Sequence, residues 1–172
     1  LVKGFYARVR TEADGSTSTE GGRVTELVAR PLLSLWWPHL AGVVQPLAGE
    51  WAARRSLMES LSVPVGYGVE LAALLDTTSR HGLDALAQVD LGSRAHKHQA
   101  NHDLAVMAAE LLAVAARRHG GPYRTIPGSS LEQFDREGGE LRQRSRSVPM
   151  DERPPAGSVP GAGRLRVACT AE

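Results

Sequence analysis

The chain has one cysteine, Cys169, so no internal disulfide framework can form, and that usage fits a reducing, cytoplasmic compartment. Charge of either sign is also scarce in excess. A net charge of +1 over 172 residues, 23% of them charged, gives no bulk electrostatic case for nucleic acid or an anionic membrane. No apolar run approaches the roughly 20 residues that a membrane helix needs. No basic-then-apolar leader opens the chain. The glycines compose no dinucleotide or ATP-binding fingerprint. No Ser-His-Asp or Cys-His set is present, and Cys169, in a Pro/Gly-rich stretch, makes a poor nucleophile.

What is present suffices for one core. Leu1 to Tyr6 has strand composition but no initiator Met, turn or cap before it, and reads as a chain cut within an element. Residues 1–9 are expected as a strand burying Val2, Phe5 and Tyr6. The polar run from Thr11 to Gly22 reads as a mobile loop. Helical spacing then places Val24, Leu27, Val28, Leu32 and Leu35 on one face, with Pro31 kinking or restarting the helix. Trp36 and Trp37 read as packing anchors, and Gly42 to Gly49 as a short extended segment with a turn. Glu50 to Ser60 reads as an amphipathic helix. A further helix follows Glu70 and stops at Arg80-His81-Gly82. Ala85 to Leu91 alternates as a strand, and Asp103 is placed to cap a helix whose buried stripe is Leu104, Met107, Leu111 and Val114. Strands interleaved with helices over residues 1–120 make an α/β domain, an open mixed sheet with flanking helices. Residues 121–172, rich in Pro, Gly, Arg and Ser, are expected to be a mostly irregular tail, with Leu131 to Phe134 docking as one turn.

Three constellations carry chemistry. Gly21-Gly22-Arg23-Val24-Thr25 offers backbone amides at a helix start, a guanidinium and a hydroxyl, a set suited to phosphate or carboxylate; a solvated loop with a helix cap has the same composition. Arg94-Ala95-His96-Lys97-His98 follows a strand, and alternation sends Arg94, His96 and His98 to one side. Ligands of open α/β sheets gather at such ends, where His96 suits a divalent metal and Arg94 a diphosphate. Without nearby carboxylates the metal site is incomplete, and a solvated basic loop is the plainer reading. In Pro64-Val65-Gly66-Tyr67-Gly68-Val69-Glu70, two glycines bend the chain into a helix start. There the dipole favours the Glu70 carboxylate, with Tyr67 beside it, although an ordinary loop-to-helix junction reads alike.

Longer words connect these stretches: GGRVTELVARPLL from Gly21, QPLAGE from Gln45, GYGVE from Gly66, and GLDALAQVDLG from Gly82 followed by Arg-x-His. In this order they resemble the glucosyl-3-phosphoglycerate synthases, nearly without gaps to about Gly120 and faintly again at 131–134 and 148–155. The resemblance implies a retaining GT-A glycosyltransferase that moves glucose from UDP-glucose to the 2-hydroxyl of 3-phosphoglycerate with Mg²⁺ or Mn²⁺. It implies that Gly22, Arg23 and Thr25 receive the acceptor. Glu70 and Tyr67 would adjoin the donor sugar, and the Leu47 carbonyl and Thr25 hydroxyl would line the reacting face. His96 would bind the metal and Arg94 neutralise the leaving diphosphate. His98 stands where the family often has Asn, a position of acceptor contact. The family's Asp-x-Asp motif and nucleotide-binding half lie upstream of the residue matching Leu1. The chain thus resembles the acceptor-side, carboxyl-terminal half of a cytoplasmic homodimeric enzyme and is expected to be inactive alone. A related transferase with a mannosyl donor or another acceptor, and a non-catalytic binding or oligomerisation module, are the alternatives.

Overall fold

The structure, a computed structural model, describes residues 1–11, 17–18, 22–95, 100–120, 130–137 and 140–160. Strand β1 (Val2–Thr11) is the hub of a four-stranded mixed sheet. It runs antiparallel to β2 (Thr17–Ser18) near its end and to β3 (Trp51–Ala52) at its start, and parallel to β5 (Ala87–Ala95) along most of its length. Helices flank this sheet: α1 (Arg30–Trp36), α2 (Arg55–Ser60), α3 (Val69–His81) and α4 (Asn101–His119). None of the described helices is long and apolar enough to cross a membrane.

The core gathers Leu32, Leu33, Leu40, Leu71, Leu74, Leu111 and Val114, with Trp36 and Trp37 packed against it and edge-on to each other at 6.0 Å. All five residues Leu71–Leu75 are buried, because α3 is covered on more than one side. It ends at Gly82, whose φ of 76° only glycine adopts freely.

Several expectations are corrected. Leu27 and Leu35 are exposed at 75% and 77%, while Ala29 and Leu33 are buried. A π-helical turn over Thr25–Ala29 precedes α1 and turns Thr25 and Ala29 inward, and α1 then buries Leu32 and Leu33. Pro31 then stands where the π turn passes into α1, and its missing N–H interrupts the helical ladder at that junction. Among the described side chains of β1 the buried residues are Lys3 and Gly4; Val2 is 39% exposed, and Phe5 and Tyr6 are half-buried. The expected helix from Glu50 shortens to α2, because the open edge of β1 captures the preceding residues as β3: Val2 pairs with Ala52, and Gly4 N donates to the Glu50 carbonyl at 2.8 Å. Ala85 lies in a 3₁₀ turn before β5, and Val89 and Leu91 are exposed on that strand, which among the described residues pairs only with β1. Asp103 does not cap α4; it sits in the first turn, 2.8 Å from Arg146.

Among the described residues from 130 on, the backbone is more regular than composition suggests. β6 (Ser130–Glu137) and β7 (Glu140–Ser147) form a hairpin, and Leu131 to Phe134 are strand rather than a turn. β8 (Glu152–Arg153) pairs with β4 (Val63–Pro64). Arg118 of α4, nearly buried, fastens that pairing to the core: it holds Asp76 of α3 through two bonds of 2.8 and 2.9 Å and Glu152 at 2.7 Å.

Candidate active site

The site is organised by a defect in the β1–β5 ladder. Phe5 lies opposite Asp90 but Ala7 lies opposite Ser93, so β5 carries an extra residue. Gly92, at φ 78°, absorbs it, and its N–H donates to Asp90 Oδ1 at 2.8 Å. Such bulges re-aim the side chains that follow. Here Arg94 comes into register with Arg8, and both guanidiniums rest against the ring of Tyr6, at 5.3 and 5.9 Å from its centroid. Gln45 clamps the same residue as a strand would: Tyr6 N donates to its Oε1 at 3.2 Å, and its Nε2 donates to Tyr6 O at 2.7 Å. That clamp fixes the loop carrying Leu47.

On one side of Tyr6 lies a cavity of about 210 Å³ lined by Arg8, Gly22, Thr25, Glu26, Arg30 and Gln45. Arg30 is committed to Glu26 at 2.8 Å and to the Val44 carbonyl at 2.6 Å. Arg8 is not: its Nε is buried without a partner, and among the described residues no carboxylate pairs with it. A buried donor left unsatisfied costs about 1–3 kcal/mol.

On the other side lies a closed corner. Lys3, 2% exposed, donates from Nζ to the Ala48 carbonyl at 2.6 Å, next to Leu47. Burial lowers its pKa to about 8, with Glu70 and Glu50 opposing the shift. Burial likewise pushes the Glu70 carboxyl above the usual carboxylate range; its own backbone N–H and Lys3 pull it back, and Glu50 adds to the rise. Thus the helix start does hold Glu70 in its first turn, but desolvation outweighs the favourable amide. Glu50 links this corner to Arg94, with which its Oε1 is ion-paired, while its Oε2 is buried without a partner.

The Gly66-Tyr67-Gly68 bend rests on α4. A β-carbon on Gly66, whose φ is 104°, would fall 2.3 Å from Glu110 Oε2, and one on Gly68 would fall 2.4 Å from Val114 Cγ2. Tyr67 N donates to Glu110 Oε2 at 2.6 Å, which leaves the Tyr67 ring half exposed.

Of the residues expected from sequence, Gly22 and Thr25 therefore meet at the cavity, Glu70 and Leu47 flank the closed corner, and Arg94 stands between them beside Tyr6. Arg23 does not line the cavity; its guanidinium donates to Asn101 Oδ1 at the start of α4. His96 and His98 lie outside the described residues. Among the described residues no group of three His, Cys, Asp or Glu could hold a metal ion. Sequence reading missed Lys3, Arg8, Gln45, Glu50 and Glu110. Only Glu110 left a signal: a carboxylate on the buried stripe of α4, between Met107 and Val114.

No family model matches the chain. It is 44% identical over 155 residues to the glucosyl-3-phosphoglycerate synthase of Mycolicibacterium smegmatis, a match covering 90% of this chain and 50% of that protein. A crystal structure of glucosyl-3-phosphoglycerate synthase from Mycobacterium tuberculosis with Mn²⁺, UDP and phosphoglyceric acid is similar at TM-score 0.76 and 43% identity, over 90% of this chain and 49% of that one. Another, with Mn²⁺, UDP-glucose and phosphoglyceric acid, has TM-score 0.74 and 42% identity, over 90% and 48%. The fold is thus the open-sheet α/β arrangement that these solved structures share. More narrowly, the chain belongs to the glucosyl-3-phosphoglycerate synthase family, and it spans about half the length of the curated relatives it matches.

Proposed function

We propose that in the full-length protein this chain forms the acceptor side of a retaining transferase that moves glucose from UDP-glucose to the 2-hydroxyl of 3-phosphoglycerate. The observation that carries this reading is the pair of unlike corners around Tyr6: an open, arginine-lined cavity with Gly22 and Thr25, and a half-buried Glu70 beside the buried Lys3. A phosphorylated acid suits the first, because guanidiniums offer planar forks of donors. Sugar hydroxyls suit the second, because a carboxylate there accepts hydrogen bonds in a dry setting. Solved relatives hold UDP-glucose with phosphoglyceric acid, the same two ligand chemistries.

In this reading the bond from the anomeric carbon to the diphosphate breaks, and a bond to the acceptor 2-oxygen forms on the same face. The hydroxyl proton leaves with the departing diphosphate oxygen. Glu70 orients the sugar, and the Leu47 carbonyl and Thr25 hydroxyl line the reacting face. The Gly22–Thr25 corner grips the acid, and Arg94 opposes the charge that develops on the leaving group. Solved relatives contain Mn²⁺ or Mg²⁺ with UDP. The proposal includes such an ion, which supplies charge neutralisation at the diphosphate when bound. His96 is this chain's candidate ligand. The described residues do not compose a metal site of their own. The same reading takes the full-length protein to be a cytoplasmic homodimer.

The test is turnover by the full-length protein with UDP-glucose, 3-phosphoglycerate and Mg²⁺. Glucosyl-3-phosphoglycerate with retained anomeric configuration, identified by NMR, is expected, and none from residues 1–172 alone. Turnover only with a mannosyl donor would replace this reading by a related transferase. Ligand binding without turnover of any donor would leave a binding module.

A further inference from the structure

Resting on the reading above, we propose that Arg8 is a substrate-binding residue of the acceptor cavity, its guanidinium taking an acid group of the acceptor. The sequence resemblance places the acceptor's guanidinium at Arg23 alone. Arg23, however, is directed to Asn101, whereas Arg8 lines the cavity itself.

Three observations converge. The first is position. A β-carbon built on Gly22 would lie 3.3 Å from Arg8 Nη1 and 3.5 Å from Thr25 Oγ1, so a backbone, a hydroxyl and a guanidinium meet around one point. The second is charge. The bulge at Gly92 sets Arg94 in register with Arg8, and like charges directly opposite repel. Arg94 has an ion-pair partner in Glu50, yet among the described residues no carboxylate answers Arg8. The third is hydrogen bonding. Arg8 Nε is buried with no acceptor, beside an opening large enough for a small acid. Arg30, the other guanidinium of the cavity, is already ion-paired with Glu26 and donates to the Val44 carbonyl. An anion presenting oxygens to the terminal nitrogens of Arg8 would supply the counter-charge it lacks, and a carboxylate and a phosphate both qualify.

The test is calorimetric titration of the full-length protein and its Arg8→Met and Arg8→Lys variants. The probes are 3-phosphoglycerate, glycerate, inorganic phosphate and, as a control for folding, UDP. Arg8→Met is expected to weaken 3-phosphoglycerate binding at least about tenfold, as loss of a charged hydrogen-bonded pair does, with UDP affinity unchanged. Arg8→Lys should restore part of the loss, since a point charge keeps the attraction but not the fork. If glycerate binding is also weakened by Arg8→Met, the carboxylate is the group taken; if only phosphate-bearing ligands weaken, it is the phosphate. Equal 3-phosphoglycerate affinity in wild type and Arg8→Met would overturn the role of Arg8 and leave the proposed function standing. Should the wild type bind no 3-phosphoglycerate, the proposed function fails instead. Inorganic phosphate then decides Arg8: weaker binding in Arg8→Met sustains an anion site, and identical binding ends it.

Discussion

Strand β1 carries Lys3 before Tyr6 and Arg8 after it, and the fold treats the two in opposite ways. Lys3 is sealed in, hydrogen-bonded to Ala48 and set between two carboxylates; Arg8 faces an opening and, among the described residues, has no counter-ion. The side chains suit these fates. An ammonium is a compact charge whose pKa yields to burial, whereas a guanidinium stays charged and keeps its fork of donors outward. The difference teaches where compensation comes from: for Lys3 it is built into the chain, and for Arg8 it must be brought by a ligand.

The sharpest way to break this contrast is to neutralise the closed corner's carboxylate. In the full-length protein Glu70→Gln is expected to lower kcat/KM for UDP-glucose by roughly 10- to 100-fold, since hydrogen bonds to charged groups are worth about 1.5–3 kcal/mol. Its affinity for 3-phosphoglycerate should not change. Steady-state kinetics varying each substrate checks this, and a loss confined to the acceptor would contradict the division into two corners.

Next is Lys3→Met, which removes the built-in cation. Lys3 lowers the pKa of Glu70, so without it the acid limb of the pH–rate profile should move to higher pH. Stability gives a second reading. The pKa of Lys3 falls from 10.5 in the unfolded chain to about 8 in the fold, so between these values the unfolded state binds more protons. Stability contributed by this group therefore rises with pH through that window, and the burial penalty is in force below pH 8. Wild type should gain on Lys3→Met from pH 8 to 10.5, by up to about 3 kcal/mol, as denaturant midpoints would show. A pH-independent difference would mean that Lys3 is not buried as a cation.

How much of this could be read beforehand follows the same line between local and distant causes. The stop of α3 at Gly82 and the helix starts holding Thr25 and Glu70 are written locally, in glycines, dipole-facing residues and spacing. The phase of the helix around Pro31 was not, because an apolar period counted at α spacing cannot announce a π turn. Lys3, Arg8 and Glu50 become site residues only once β1 is set against β3, the Gln45–Gly49 loop and the bulged β5, contacts spanning some forty to ninety residues of sequence. The β6–β7 hairpin escaped for another reason. Its exposed faces carry Glu, Gln, Ser and Arg instead of alternating apolar residues, and cross-strand pairs such as Glu132 with Gln143 and Asp135 with Arg144 hold it.

The smallest effect is expected at Glu110, which touches neither corner but seats the loop leading into Glu70. Its Oε2 accepts the Tyr67 N–H, and Gly66 leaves room for that oxygen and nothing more. In Glu110→Ala the amide loses its acceptor and the bend gains freedom, so Tyr67 and the first turn of α3 are held less tightly. The expected cost is about 1–3 kcal/mol of stability and about tenfold in kcat, as small misplacements of positioning groups bring. Glu110→Gln keeps a carbonyl oxygen in place and should recover most of both. That rescue separates positioning from charge: if Gln behaves like Ala, the carboxylate's charge matters more than its grip on the loop. Gly66→Ala offers an independent check, since its β-carbon must displace the same oxygen and should reproduce the kcat loss while Glu110 is intact. If Gly66→Ala leaves kcat unchanged, the bend is not what couples α4 to Glu70.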